Sequence, residues 1–211
     1  MSLVVITDLH MSAGRPAGRL GDFASDVDAK LREVVEIVRE VEAHAVLCAG
    51  DVFHNPVPAL SAVNRFIDFL DLIGHLDTRF ITVPGSHDLI GSNLDALNRT
   101  AIGLLHRLDK LELLSSVTDS VVDVDDLTIG IPGEAAHDIE LVHASIIPKP
   151  DLFGEFTLIG EYRTRSRIVI VGHVHSGYPL ETIEETTFVC PGSLVRTIAQ
   201  QSELTRRPRL A

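Results

Sequence analysis

The sequence predicts an α/β layered domain. Apolar runs of strand length alternate with amphipathic helical stretches in the first half, and short strands joined by Gly, Pro and Asp turns fill the second half. Five of the apolar runs also end in residues able to bind a metal, as expected where ligands collect beyond the carboxyl ends of a sheet's strands. The 211 residues, 45% hydrophobic and 23% charged, suit a single domain over 1–211 with a sizeable core and argue against disorder.

Leu3–Thr7 is a continuous apolar run that reads as a buried strand. From Asp26 to Glu42, Val27, Leu31, Val34, Val35, Val38 and Val41 recur at helical spacing with charges between them, and Ser25 or Asp26 is the expected N-cap. Ala45–Ala49 is the next strand. Pro58 to Ile73 carries Leu60, Val63, Phe66, Ile67, Leu70 and Ile73 on one face, with Pro58 suited to the first helical turn and Gly74 to the stop. Phe80–Val83 is a third strand, ended by Pro84-Gly85. Asn93–Leu108 reads as a helical segment between the two halves. Short strands then follow at Ser120–Val124, Leu127–Ile131, Glu140–His143, Ile168–Val171, Leu180–Ile183 and Thr187–Cys190, with an irregular loop over Asp151–Ser166. The basic end of the chain, from Glu203 through Arg206, Arg207 and Arg209, reads as a solvated terminus.

Composition narrows the partners. No apolar run approaches the roughly 18–20 residues that span a bilayer, and Leu3-Val4-Val5-Ile6 reads as a strand rather than a signal peptide, with no basic leader before it. Cys48 and Cys190 each lie in an apolar stretch and read as buried, reduced thiols, which points to a cytoplasmic protein with no membrane partner. The net charge of −12 is opposite to that of most nucleic-acid binders, so any such binding must be local, metal-mediated or helped by a partner.

The polar residues at the strand ends carry the chemistry. Leu3–Thr7 runs into Asp8-Leu9-His10, Val46–Ala49 into Gly50-Asp51, and Ile81–Val83 into Pro84-Gly85-Ser86-His87-Asp88. Ile139–Val142 ends at His143, and Ile168–Val171 runs into Gly172-His173-Val174-His175. One such residue is ordinary turn chemistry. Five coincident strand ends, two with alternating pairs whose side chains share a face, point to a metal site. A mixed Asp/His shell points to a borderline metal such as manganese, iron or zinc rather than calcium or magnesium, which prefer oxygen ligands throughout. Two divalent ions about 3.5–4 Å apart suit in-line displacement at phosphorus, and Asp51 is the natural bridging carboxylate. His44, His75, His106 and His137 lack ligand-type spacing and read as surface or boundary residues.

Asp8-x-His10, Gly50-Asp51, Gly85-Ser86-His87-Asp88, His143 and Gly172-His173-x-His175 resemble, in order, the five motifs of the calcineurin-like metallophosphoesterases. The resemblance implies a four-layer fold, a two-sheet β-sandwich flanked by helices. It implies one ion held by Asp8, His10, Asp51 and His175, and a second by Asp51, Ser86, His143 and His173. It makes His87 the general acid, oriented by Asp88. Where the family usually has Asn, this chain has Ser86, a shorter and weaker ligand, so the second ion is expected to be held more weakly than the first.

Gly50-Asp51-Val52-Phe53-His54, His87-Asp88-Leu89 and Pro191-Gly192-Ser193-Leu194-Val195-Arg196 are further similar to the Mre11/SbcD nuclease branch, in particular its compact phage-type members. That similarity implies a manganese-dependent nuclease working with a Rad50/SbcC-type ATPase, with His54 near the scissile phosphate. Against it stand the acidic charge, the lack of room for a DNA-capping domain after His175, and the lack of a basic stripe with interleaved aromatics. The alternatives are a phosphoesterase for small or cyclic nucleotides and a non-catalytic binding module, the latter disfavoured by retention of His87. The loop Gly14–Arg19 offers Arg15 or Arg19 to a substrate phosphate. No phosphate-cradling Gly-x-x-x-x-Gly-Lys-Ser/Thr run is present. A His-x-His start of the PHP phosphoesterase type is ruled out by Ser12.

Overall fold

The computed structural model describes residues 1–16, 21–150 and 154–197. Four parallel strands, β1 (Leu3–Ile6), β2 (Ala45–Cys48), β3 (Arg79–Thr82) and β4 (Glu112–Leu113), lie side by side in that order, with Val4 opposite Val46 and Leu47 opposite Ile81. Helices α1 (Phe23–Glu40), α2 (Leu60–Gly74) and α3 (Ala101–Arg107) form the crossovers that parallel neighbours require. The second half supplies β5 (Val121–Val124), β6 (Leu127–Gly130), β7 (Ile139–His143), β8 (Ile146–Ile147), β9 (Thr157–Leu158), β10 (Ile168–Gly172), β11 (Tyr178–Ile183) and β12 (Thr186–Cys190). Six of these make a sheet in the order β11-β12-β10-β7-β6-β5, parallel at its centre and closed by an antiparallel pair at each edge, while β8 and β9 pair separately.

Alternation along the strands builds the layers. Val5, Leu47 and Ile81 point toward the six-stranded sheet and pack with Ile129, Leu141 and Ile170. Val4, Ile6, Val46, Cys48 and Phe80 point the other way, against Val27, Leu31, Val34 and Val38 of α1 and Phe66, Leu70 and Ile73 of α2. Phe66 meets Phe53 and Phe80 edge-on, with ring centroids 5.5 and 5.3 Å away. The outer face of the six-stranded sheet presents Val142, Val169, Val171 and Phe188, covered by Ile146 and Ile159 of the β8–β9 layer. The two-sheet core flanked by helices is therefore as the sequence predicts. Among the described residues the helices lie against the four-stranded sheet.

Local boundaries differ from expectation for identifiable reasons. Helix α1 begins at Phe23, because the Asp22 carboxylate accepts the Ala24 and Ser25 N–H groups at 3.1 and 3.3 Å and Phe23 is buried. Helix α2 is capped at Ala59, so Pro58 stands outside it, and Leu60 is exposed. Its inward stripe runs through Ala62, Phe66, Phe69 and Ile73, spaced 4, 3 and 4 residues, and Leu60 falls off that stripe. The expected helix over Asn93–Leu108 divides into a 3-10 run, Leu94–Arg99, and α3. Thr100 is extended at φ −109° and caps α3 through Oγ1, which accepts the Gly103 N–H at 3.2 Å. The expected loop over 151–166 contains β9. Arg19 and the segment from Glu203 lie outside the described residues.

Cys48 and Cys190 are free and buried. Among the described residues no helix is long and apolar enough to cross a membrane.

Candidate metal centre

Three of the five strand-end segments that carry candidate ligands turn sharply as they leave their strands. Asp8, His10, Asp51 and His173 all have positive φ, at 52°, 47°, 52° and 78°, a left-handed backbone that costs roughly 1–3 kcal/mol per non-glycine residue. The cost is accepted where the turn swings a side chain back over the sheet ends. Two glycines make the approach possible. A Cβ on Gly85 would lie 2.2 Å from Asp51 N and Oδ1, and one on Gly172 would lie 1.9 Å from Ala49 O.

The result is a convergence of ligand atoms in two groups that share Asp51. Asp8, His10, Asp51 and His175 form one, and Asp51, His143 and His173 form the other, with the ligand atoms of each group within 4.8 Å of one another. In the first, His175 Nε2 lies 3.0 Å from His10 Nε2 and 3.6 Å from Asp8 Oδ1, and His10 Nε2 lies 3.8 Å from Asp51 Oδ2. In the second, His143 Nε2 faces Asp51 Oδ2 at 3.4 Å, and the His143 and His173 rings meet edge-on at 5.1 Å.

For His143 and His175, partners on the far side of the ring bear on which nitrogen faces the centre. His143 Nδ1–H donates to Ala49 O at 2.8 Å, leaving Nε2 buried toward Asp51 without a hydrogen-bond partner. His175 Nδ1 lies 3.2 Å from Thr197 Oγ1, and its Nε2 faces Asp8 and His10. The His10 and His175 Nε2 atoms 3.0 Å apart, with the buried, unpartnered His143 Nε2 and the Asp8 and Asp51 carboxylates, make a mixed donor set that fits divalent ions of the borderline kind. The carboxylates are held in turn by backbone donors. The His173 N–H donates to both Asp8 oxygens at 3.1 and 3.2 Å, and the His87 N–H donates to Asp51 Oδ1 at 2.8 Å.

Burial alone raises the Asp51 carboxyl, but His143 and the His87 N–H outweigh it and hold its pKa at about 2. Burial lowers His143, and the Asp51 carboxylate more than offsets this, lifting it to about 9. Burial takes His10 down to about 3, so its nitrogens are free of a second proton. The pocket thus favours positive charge at the Asp51–His143 side and neutral ligands at His10.

His54 and His87 form the open flank. Their rings are stacked at 5.1 Å, and His87 lies 4.9 Å edge-on from His10. His87 Nδ1–H donates to His54 O at 3.0 Å, so His87 Nε2 is the atom left free. This corrects the expectation for Asp88. Its carboxylate accepts from the N–H groups of Val52, Phe53 and Gly85 at 3.2, 2.9 and 3.0 Å, and it is the His54 carbonyl that orients the His87 ring. Asp88 instead ties the Asp51 loop to the Gly85 loop from beneath, where burial raises its carboxyl to about 7 against the pull of those N–H groups.

Of the other expected residues, Ser86 is exposed and makes no hydrogen bond among the described residues, and Arg15 is exposed on its loop. His44 and His75 are exposed, while His106 and His137 are partly buried away from the centre. Thr197 was invisible in sequence. It lies 22 residues from His175, and only the return of the Pro191–Thr197 segment brings it there. That segment is stitched across both ends of the site, with Leu194 N–H donating to Thr7 O and Ser193 N–H to His175 O, each at 3.0 Å.

A model of the calcineurin-like phosphoesterase superfamily domain matches residues 1–205. Among solved structures, TT1561 of Thermus thermophilus is similar in fold, with a TM-score of 0.52 and 12% identity, covering 91% of this chain and 89% of that one. The Pseudomonas putida nuclease MPE aligns with a TM-score of 0.48 and 15% identity, covering 99% of this chain and 82% of that one. No curated protein matches the sequence significantly.

Proposed function

We propose that this chain, which belongs to the calcineurin-like phosphoesterase superfamily, is a two-metal phosphodiesterase acting on nucleic acid, with manganese as its metal and iron or zinc as alternatives. The observation that carries this reading is the sharing of Asp51 between two ligand groups, with a free imidazole nitrogen of His87 on the open side. Asp8, His10, Asp51 and His175 would hold one ion, and Asp51, His143, His173 and Ser86 the other. Ions held there would neutralise phosphate oxygens and make a water acidic enough to act as nucleophile.

The chain's own residues do the rest. Asp51 spaces the two groups. The Ala49 carbonyl and the Thr197 hydroxyl keep His143 and His175 in the tautomers that face inward. His87, held through Nδ1 by the His54 carbonyl, gives a proton from Nε2 to the leaving oxygen. His54, stacked on His87, flanks the scissile phosphate. No Ser or Cys nucleophile is needed, since a water made acidic by the ions would attack phosphorus.

The motifs that resemble the Mre11/SbcD branch favour DNA as substrate and a Rad50/SbcC-type ATPase as partner, and the two buried thiols favour a cytoplasmic setting in which both stay reduced. The −12 charge is the observation that favours a second reading, a small or cyclic nucleotide as substrate. The test is manganese-dependent hydrolysis of bis(p-nitrophenyl) phosphate beside linear single- and double-stranded DNA, with His87→Ala as control. Cleavage of both, lost in the variant, supports the nuclease reading. Turnover of the ester alone supports the small-nucleotide reading, and no metal-dependent turnover of either refutes both.

A further inference from the structure

On the outer face of the six-stranded sheet, β7 carries Glu140, a carboxylate only 2% exposed. Three hydroxyls from one crossing segment satisfy it: Tyr162 Oη–H donates at 2.6 Å, Thr164 Oγ1–H at 2.9 Å and Ser166 Oγ–H at 3.4 Å. A buried carboxylate is costly unless it is hydrogen-bonded in this way, and here the bonding sets the register of the segment. With Tyr162, Thr164 and Ser166 turned inward, Arg163, Arg165 and Arg167 are all exposed. Arg163 Nη1 donates to Gly160 O at 3.1 Å and Arg165 Nη1 to Glu134 O at 3.3 Å, contacts that orient the guanidinium groups without neutralising them. Among the described residues none of the three pairs with a carboxylate. Acids close in the chain or the sheet include the exposed Glu134, Glu161, Glu184 and Glu185, and Asp138, which accepts from Thr128 N–H and Oγ1–H at 3.0 Å each and whose carboxyl those bonds, helped by Arg167, hold below its ordinary range.

Three arginines within five residues, none in a close ion pair among the described residues, are hard to explain as stability devices in a chain of net charge −12. Guanidinium groups bind phosphate bidentately, and alternate residues of an extended chain recur at roughly 6.5–7 Å, which allows one strand to be gripped at successive phosphates. We propose that Arg163, Arg165 and Arg167 form a binding strip for the phosphate backbone of a nucleic-acid strand, a proposal that rests on the phosphodiesterase reading and selects polynucleotides within it. Arg167 precedes β10, whose other end leads to His173. Arg167, the near end of the strip, is therefore one strand away from His173, about 20 Å at 3.3 Å per residue. A stacked strand covers that in about six nucleotides at 3.4 Å each. Dinucleotides and small diesters are too short to gain from the strip, and longer oligonucleotides span it.

The test compares the wild-type chain with a triple variant, Arg163→Gln, Arg165→Gln and Arg167→Gln, and with Arg165→Gln alone. Binding of a labelled single-stranded 20-mer is followed from 50 to 200 mM salt in EDTA, and manganese-dependent turnover is followed on the 20-mer and on bis(p-nitrophenyl) phosphate. The expected result is a 20-mer affinity at least tenfold weaker in the triple variant. Its log–log salt slope should be shallower by about 2, and by about 0.7 for the single variant. Melting temperature and turnover of the small diester should be unchanged. Equal 20-mer binding and cleavage by wild type and triple variant overturns the strip and leaves the phosphodiesterase reading standing. A wild type that turns over the small diester but neither binds nor cuts the 20-mer overturns the strip and the nucleic-acid choice together. If no substrate is turned over, the catalytic reading fails and the binding arm alone judges the strip.

Discussion

Thr197→Val removes one hydroxyl while keeping a β-branched shape. Thr197 is 8% exposed, so water cannot readily replace its Oγ1 beside His175 Nδ1 at 3.2 Å. Without that acceptor, the Nδ1–H tautomer loses its partner, and the Nε2 lone pair now directed at Asp8 Oδ1 (3.6 Å) and His10 Nε2 (3.0 Å) is no longer enforced. Loss of such an outer partner of a metal-ligating imidazole costs about 10–100-fold in metal affinity, or about 1.4–2.7 kcal/mol at 1.36 kcal/mol per decade. Manganese titrated into chelator-stripped protein, with free ion followed by EPR, reads this directly. The first binding step should weaken by that factor in Thr197→Val and recover in Thr197→Ser, while thermal melts of the metal-free proteins stay close. Unchanged manganese affinity in the Val variant, or equal losses in Val and Ser, would refute the assignment of the His175 tautomer to this hydroxyl.

Ser86→Asn should tighten the weaker of two unequal manganese steps by about tenfold, since an amide carbonyl on a longer arm is the better ligand; calorimetry finding two equal, tight steps in the wild type would sink the premise. Gly85→Ala should abolish activity and weaken both steps, because its Cβ would overlap Asp51, shared by both ligand groups; the added strain is about 1–3 kcal/mol and is read by thermal melting. The Asp22 cap predicts a pH signature for α1. Hydrogen bonds from Ser25 hold the Asp22 carboxyl below its ordinary 3.8, so its contribution is present above that value and is lost as pH falls through the folded-state pKa. Asp22→Ala should therefore lower the melting temperature at pH 7, with the difference from wild type fading at the acid end of the range.

The layered α/β fold and the gathering of Asp and His side chains at one sheet edge were legible in the sequence because both are written locally. Val4-Val5-Ile6 and Ala45–Cys48 announce buried strands by apolar continuity, and a strand's end fixes where its next side chains emerge, so Asp8, His10, Asp51, His143, His173 and His175 could be placed at one edge before any pairing was known. Helix starts were less legible. Phe23 joins α1 only because it is buried and Asp22 caps it, and Thr100 splits an amphipathic stretch by folding its hydroxyl onto Gly103 N–H. What only the tertiary structure decided was direction. Asp88 follows His87 in the chain, yet its carboxylate turns to N–H groups of Val52 and Phe53, 36 and 35 residues away. The His87 ring is set by a carbonyl 33 residues back, and the His175 ring by a threonine 22 residues on. Hydrogen-bond partners of this kind depend on which strands and returning segments lie within about 3 Å of one another. Sequence periodicity records which face a side chain takes, and carries no information on what meets it there.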